Sequence, residues 1–168
     1  MTVAEREYKS PLLQRNMDII GKVIFTSTHV KKQDCDGPEN YKSCYPILDL
    51  SEDQFYTEDL TEDAWDSDEN DWARYQTAES VGLESANWNG ELSSYPNSGY
   101  FLLFDPRDTS QEEYTKKYEK AKGALFGNGV RSVTLTFAVY SKTLNYWVNV
   151  TLKFEFSISD QVIFTKEF

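Results

Sequence analysis

Apolar and polar residues alternate most regularly toward the C-terminal end of the chain. Within residues 130–141 and 146–158, apolar side chains occupy every second position. This period is typical of strands that have one buried and one wet face. Residues 141–145 form a link that is short enough for an antiparallel pair. Residues 17–30 are rich in β-branched side chains and residues 99–104 form a short apolar run, so both predict further strands.

A helical period replaces the strand period at residues 111–126. Ser110 is a favourable N-cap, and Gly127 or Gly129 is suited to end the helix. Four residues fall on one stripe of this helix: Tyr114, Tyr118, Ala121 and Leu125. An antiparallel sheet with helices packed on one face predicts an α+β fold.

Chain length and composition agree with one folded domain. The 168 residues are the size of a single domain, and the aromatic share of 15% argues against intrinsic disorder. We interpret residues 1–16, which are polar, as a connecting arm before a single domain at residues 17–168. The acidic segment, residues 51–71, is predicted to be mostly loop because its carboxylates repel each other, and residues 72–99 are predicted to be irregular surface.

The two cysteines lie close together in the sequence. Cys35 and Cys44 enclose Gly37 and Pro38, which favour a reversal of the chain. We therefore predict that residues 20–50 form a long extended hairpin whose tip is closed by a Cys35–Cys44 disulfide. Closing this loop would add roughly 2.5–3 kcal/mol to the free energy of unfolding. Two free thiols in a cytosolic loop are the alternative, while zinc is disfavoured because the chain has only 1 His.

The formal net charge of -11 excludes some partners. With 28 acidic and 17 basic residues, the chain repels phosphate backbones, so we expect no nucleic-acid partner. An acidic surface instead raises the local concentration of cations. The sequence has no run of about 18 apolar residues and no apolar signal-peptide core near its start. We expect no bilayer span within it, and we expect any targeting information to lie elsewhere.

No pattern of catalytic residues stands out. The acidic residues cluster in one polar segment rather than as a pair that a cleft could hold. His29 lies on a predicted strand without a nucleophile motif, so we expect it at the surface or at an interface. We interpret the chain as a protein that is not an enzyme and needs no cofactor.

One motif concerns metal binding. Asp66, Asp68 and Asn70 match the opening of an EF-hand loop. The glycine and glutamate that should follow are replaced by Asp71 and Thr77. We expect a weak attraction of divalent cations here rather than a defined metal site.

Two features concern sugars. Asn149-Val150-Thr151 is an N-glycosylation sequon, and the alternation places Asn149 on the polar face of its strand. Separately, the aromatic excess suggests an alternative function, a secreted or cell-surface lectin-like or adhesion module of β-rich fold. Its sugar-contacting residues would be tryptophans of the irregular segments: Trp65, Trp72 and Trp88.

Several short motifs follow one another in an order that resembles a known family. They are Ser98-Gly99-Tyr100-Phe101, Asp105-Pro106-Arg107, Gly129-Val130-Arg131, Phe137-Ala138-Val139-Tyr140-Ser141 and Phe154-Glu155-Phe156, preceded by the cysteine pair with Tyr45 and by Trp88, Gly90 and Tyr95. This order resembles the polycystin domain, which lies between the first two transmembrane helices of polycystin channels. The chain departs from the family pattern at residues 51–71, 124–128 and 157–161, which leaves the subfamily open. The related mucolipin lumenal domain is a less close match.

The resemblance implies a function and a location. It implies an extracellular or lumenal regulatory and assembly domain of a calcium-permeable, non-selective cation channel, at the plasma, ciliary or endoplasmic reticulum membrane. The partners would be other channel subunits in a homo- or hetero-tetramer, and the full-length protein would lie in the membrane although this fragment is soluble. Candidates for subunit contacts are Tyr41, Tyr45, Trp88 and Arg131. The resemblance also supports the Cys35–Cys44 disulfide hairpin.

Overall fold

The alternating segments assemble into a six-stranded antiparallel sheet with the order β10-β9-β8-β1-β7-β4. The computed structural model describes residues 17–34, 43–46, 48, 55–62, 64, 68–159 and 161–168. The elements in chain order are β1 (Met17–His29), β2 (Gln33–Asp34), β3 (Ser43–Cys44), a 3-10 helix (Asp68–Ala73), β4 (Tyr75–Gln76), a 3-10 helix (Ala78–Val81), β5 (Trp88–Asn89), β6 (Ser94–Tyr95), β7 (Gly99–Phe104), α1 (Gln111–Leu125), β8 (Val130–Ser141), β9 (Tyr146–Phe156) and β10 (Val162–Glu167). The fold is α+β, as predicted.

The main core lies between α1 and the β7 half of the sheet. Its buried side chains include Tyr100 and Leu102 of β7 and Leu125 of α1, with Trp72 at its border. The Tyr100 hydroxyl donates to the backbone carbonyls of Tyr56 (3.0 Å) and Glu58 (2.6 Å), which fastens part of the acidic segment to the sheet. Burial and the neighbouring charged groups raise the pKa of Tyr100 well above its usual range, so the hydroxyl remains a donor.

A capping box starts α1 where the sequence predicts it. The Ser110 side chain accepts from the Glu113 backbone N–H (3.2 Å), while the Glu113 carboxylate accepts from the Ser110 backbone N–H (3.0 Å). These hydrogen bonds lower the pKa of Glu113. The predicted stripe faces the core, since Ala121 and Leu125 are buried. The helix prediction is confirmed.

Two irregularities interrupt the ladder between β1 and β8. The register changes from Ile20↔Ala138 to Ile24↔Thr136, next to Gly21, whose φ is 72°. A second change lies between Thr28↔Ser132 and His29↔Val130, which leaves one extra residue, Arg131, on β8. An extra residue bends a strand and redirects its side chains.

The strands predicted at residues 17–30, 99–104, 130–141 and 146–158 are confirmed within one or two residues of their bounds. The predicted long hairpin over residues 20–50 is wrong. Strand β1 pairs with β7 and β8 instead, and only the short strands β2 and β3 pair with each other. Strands β7 and β8 thus give β1 a hydrogen-bonded neighbour along each of its edges.

The prediction of irregular surface for residues 72–99 is also wrong in part. Strands β5 and β6 form a hairpin with Trp88↔Tyr95 paired, and both side chains are buried. The arm predicted at residues 1–16 lies outside the described residues, so that boundary stays a prediction. Of the acidic segment, the described part ends in the 3-10 helix that starts at Asp68.

Gly99 provides a test of the packing between β1 and β7. A Cβ at position 99 would lie 2.4 Å from the backbone oxygen of Ser27, which cannot move without separating the strands. We expect Gly99→Ala to lower the free energy of unfolding by about 1–3 kcal/mol in denaturant titrations.

Gly123→Ala is the matched control. No atom lies within 4 Å of a Cβ placed at position 123 of α1. Because alanine favours the helix, this variant should be more stable than the original chain by about 0.5–1 kcal/mol. Two variants of equal stability would contradict the close approach of the strands.

Candidate functional site

The β5–β6 hairpin, residues 88–95, folds over the sheet as a flap and is held by a buried carboxylate. Glu155 of β9 is 1% exposed. It accepts hydrogen bonds from the backbone N–H groups of Glu91 (2.8 Å) and Leu92 (2.9 Å) at the flap's tip. A Cβ at Gly90 would lie 2.2 Å from this carboxylate, so a larger residue would have to displace the buried Glu155 side chain. Charge-assisted bonds of this kind are among the stronger ones in proteins.

Aromatic side chains complete the attachment of the flap. The Tyr95 hydroxyl hydrogen-bonds to Glu155, and burial together with that carboxylate raises the pKa of Tyr95. The rings of Trp88 and Tyr95 are 4.5 Å apart. The Lys153 ammonium lies 4.9 Å from the Trp88 ring centroid and pairs with Glu167 of β10 at 2.5 Å. The flap is therefore attached to β9, and Lys153 links this attachment to β10.

Arg131 holds a second loop, the cysteine segment, which is defined as residues 43–46. Its guanidinium donates to the backbone carbonyls of Tyr45, Pro46 (2.8 Å) and Val130 (2.9 Å). Burial lowers the pKa of Arg131, but the guanidinium remains a cation because an arginine ordinarily titrates far above neutral pH. The extra residue in β8 is thus the one whose side chain reaches out of the sheet. It ties the cysteine segment to the sheet.

A second core joins the two loops. It consists of Val30, Leu48, Trp88 and Tyr95, with Tyr45 packed against it. The Ser93 hydroxyl of the flap donates to the Leu48 carbonyl. A cleft of about 560 Å³ separates the cysteine segment from the turn between α1 and β8. Together the flap and the cysteine segment form the loop end of the sheet.

The apolar face of β8, β9 and β10, here called the outer sheet half, is only half-buried. Register and alternation place its side chains on the same face as α1, which packs over β7 and Phe25 at the other half. Phe164 is 52% exposed although its ring lies 5.0 Å from that of Phe154. The outer sheet half contains Leu135, Phe137, Val139, Leu152, Phe154, Val162 and Phe164. A contiguous apolar surface of this kind is typical of an interaction site.

The residues predicted to contact other subunits do not share one exposed surface among the described residues. Trp88 and Arg131 are buried within the chain and contact the flap and the cysteine segment, and Tyr45 is half-buried beside Arg131. Tyr41 lies outside the described residues. Cys44 is not a free thiol, but Cys35 is likewise outside the described residues, so the Cys35–Cys44 pairing and the contact roles stay predictions.

The predicted cation-attracting segment lies partly outside the described residues, so the weak attraction of cations stays a prediction. Across the described ranges, no group of three or more acidic, cysteine or histidine side chains could hold a metal ion. Asp66 is outside those ranges, and neither Asp68 nor Asn70 belongs to any such group. The surface position predicted for His29 is wrong, because this side chain is 5% exposed and bonds to Ser27 at 3.0 Å.

The residues that sequence reasoning missed are Lys153 and Glu155. Alternation assigned them to a wet face, yet the flap covers that face and buries both. Charged residues within a regularly alternating strand do not indicate by themselves that their side chains are buried. Gly90 was the available hint, since a glycine beside Trp88 indicates a close backbone approach.

Comparison with known proteins identifies one family. The family model described as Polycystin domain matches residues 5–168. No curated protein matches the chain. None of the described helices is both long and apolar enough to cross a bilayer.

Removal of the charge on Glu155 tests its role as the anchor of the flap. Glutamine offers one acceptor oxygen in place of two, so one flap N–H faces another donor. We expect Glu155→Gln to lower the free energy of unfolding by about 2–3 kcal/mol. Glu91→Gln is the control, because this side chain is exposed on the same flap and should change stability by less than about 0.5 kcal/mol. Equal effects in chemical denaturation would contradict the anchoring role.

His29 predicts a pH dependence of stability. Burial lowers the pKa of His29 to about 4 from its ordinary 6.5. The unfolded chain therefore binds a proton more readily, and this residue's contribution to stability is lost as pH falls from about 6.5 to about 4. The loss reaches about 3 kcal/mol.

His29→Gln removes that contribution while keeping a polar partner for Ser27. The free energy of unfolding should therefore fall less steeply between pH 7 and pH 4 for the variant than for the original chain. The difference between the two slopes isolates His29 from the carboxylates, which titrate in both proteins. If the free energy of unfolding depended on pH in the same way for both proteins, a neutral buried imidazole at position 29 would be contradicted.

Proposed function

Since this chain belongs to the polycystin domain family, we propose that it is the extracellular or lumenal regulatory and assembly domain of a calcium-permeable, non-selective cation channel. Members of the family are subunits of membrane channels that assemble into oligomers. We assign this chain no catalytic role. It acts by contact, with other channel subunits as its partners in a homo- or hetero-tetramer.

The outer sheet half is the observation that carries this proposal. Helix α1 covers the β7 half of the face, while the apolar side chains of β8, β9 and β10 remain half-exposed. Phe164 and Val162 are the most exposed of them, at the edge of the sheet. Burial of such a surface against another subunit is favourable by roughly 25 cal/mol per Å² of apolar area. The subunit contact is therefore assigned to this face rather than to buried Trp88 and Arg131.

The path of the chain supports a coupling role. Strand β1 begins at the end of the sheet where β8 turns into β9, and β10 runs toward that end, with Glu167 paired to Thr151 in the middle of β9. The flap and the cysteine segment lie at the opposite end. In the proposed channel, events sensed at the loop end reach the membrane through continuous strands, which are stiff along their length.

The cysteine segment supports a location outside the cytosol. Cys44 is not a free thiol, and we propose that Cys35 is its partner. Disulfides persist in oxidising compartments and are rare in the cytosol. Arg131 already fixes the backbone of the next two residues, Tyr45 and Pro46, so a covalent bond would hold the preceding loop against a rigid base.

The alternative, a secreted lectin-like or adhesion module, is not favoured. It relied on tryptophans that would stack on sugars, yet Trp72 and Trp88 are both buried in the two cores. Trp65 lies outside the described residues. The side chains chosen for sugar binding are therefore engaged in packing at both positions that the structure describes.

Phe164→Asp in the full-length gene product tests the assembly role. A carboxylate in the middle of an apolar contact is left desolvated and unpaired, so two differently tagged subunits should co-purify at least about fivefold less. Thr165→Asp is the matched control, because this exposed neighbour projects from the other face of β10 and should leave recovery unchanged. Both variants should retain the circular dichroism of the original 168-residue chain. Unchanged co-purification with Phe164→Asp would exclude the outer sheet half as the contact.

A further inference from the structure

Three alternate residues of β9 combine an exposed aromatic ring with the N-glycosylation sequon. Trp147, Asn149 and Thr151 project from the same face of the strand, about 7 Å apart in succession. Asn149 is exposed, and Trp147 is 67% exposed. The sequence Trp-Val-Asn-Val-Thr therefore places a large ring directly beside the acceptor amide.

The surroundings of Asn149 leave room for a sugar. Its neighbour across the β8–β9 ladder is Ala138, which has a small side chain. The flap covers the same face only farther along, at Lys153 and Glu155. The acceptor amide is thus open above the sheet.

Trp147 lies close to the turn between β8 and β9. Its partner across the ladder is Tyr140, whose hydroxyl donates to the Asn145 side-chain oxygen at 2.8 Å. Asn145 has φ 53° in this tight turn. An exposed indole offers a flat apolar surface. The C–H face of a pyranose ring is complementary to such a surface.

We propose that Asn149 is N-glycosylated and that the first N-acetylglucosamine packs on Trp147. This inference rests on the proposed location outside the cytosol, because N-glycans are added only there. The glycan projects from the face opposite the outer sheet half, so a sugar and a neighbouring subunit can occupy β9 together. Its role is to cover an exposed tryptophan and to keep this face free of protein contacts.

The test directs the 168-residue chain into the endoplasmic reticulum of eukaryotic cells with a cleavable signal. Intact mass under non-reducing conditions, with alkylation, reports glycan and free thiols in one measurement. We expect a mass increase that enzymatic removal of N-glycans abolishes and that Asn149→Gln eliminates. Peptide mapping of chain retained in the cells gives the occupancy even where secretion is poor.

The role of Trp147 is measured by a double-mutant cycle. The glycan should raise Tm by about 2–4 °C relative to Asn149→Gln, and this gain should vanish when Trp147→Ala is also present. Tyr146→Ala is the control, since this exposed ring lies on the other face and should leave the gain intact. An equal gain with and without Trp147 would overturn the stacking.

The two proposals fail in different ways. An unmodified Asn149 in chain without free thiols would overturn the glycan site while supporting the proposed location. Two free thiols in chain that carries the glycan would count against the Cys35–Cys44 bond and support the acceptor site. Free thiols together with an unmodified Asn149 would count against both.

Discussion

Pairing of β1 along both of its edges is the constraint on which the fold depends. This strand hydrogen-bonds to β7 on one side and to β8 on the other, so residues from the two halves of the chain meet at its surface. The close approach to β7 requires Gly99, and the ladder with β8 leads on to β9 and β10. Helix α1 then packs over β7 and Phe25 of β1, which leaves the far half of the same face available to another molecule.

Charged groups bind the loops to this sheet beside the second core. Glu155 accepts from backbone amides of one loop, and Arg131 donates to backbone carbonyls of the other. Each buried charged side chain hydrogen-bonds to backbone groups of the loop above it. This avoids the large free-energy cost of burying an unpaired ion. The loop end is therefore specified by two side chains of opposite charge type that are both buried beneath the loops.

The sequence was informative where a local period determined structure. The helix, its cap and the long strands follow from spacing and capping chemistry. The pairing of β1 did not follow, because its partners lie far away along the chain and only tertiary packing selects them. Burial of Glu155, Lys153 and His29 was missed for the same reason, since each is covered by a segment distant in sequence. The family resemblance pointed to the correct domain, and two of its candidate contact residues, Trp88 and Arg131, are buried within the chain.

The register change at Gly21 preserves the side-chain alternation of β1. Strand β1 contains three residues between Ile20 and Ile24, whereas β8 contains one between their partners, so the excess is two. Because the side-chain period of a strand is two, Ile20 and Ile24 remain on the same face although their registers differ. The ladder can therefore absorb a change of two residues at this point without exchanging its faces. A register change of one residue would turn every side chain of β1 before Gly21 to the opposite face of the sheet.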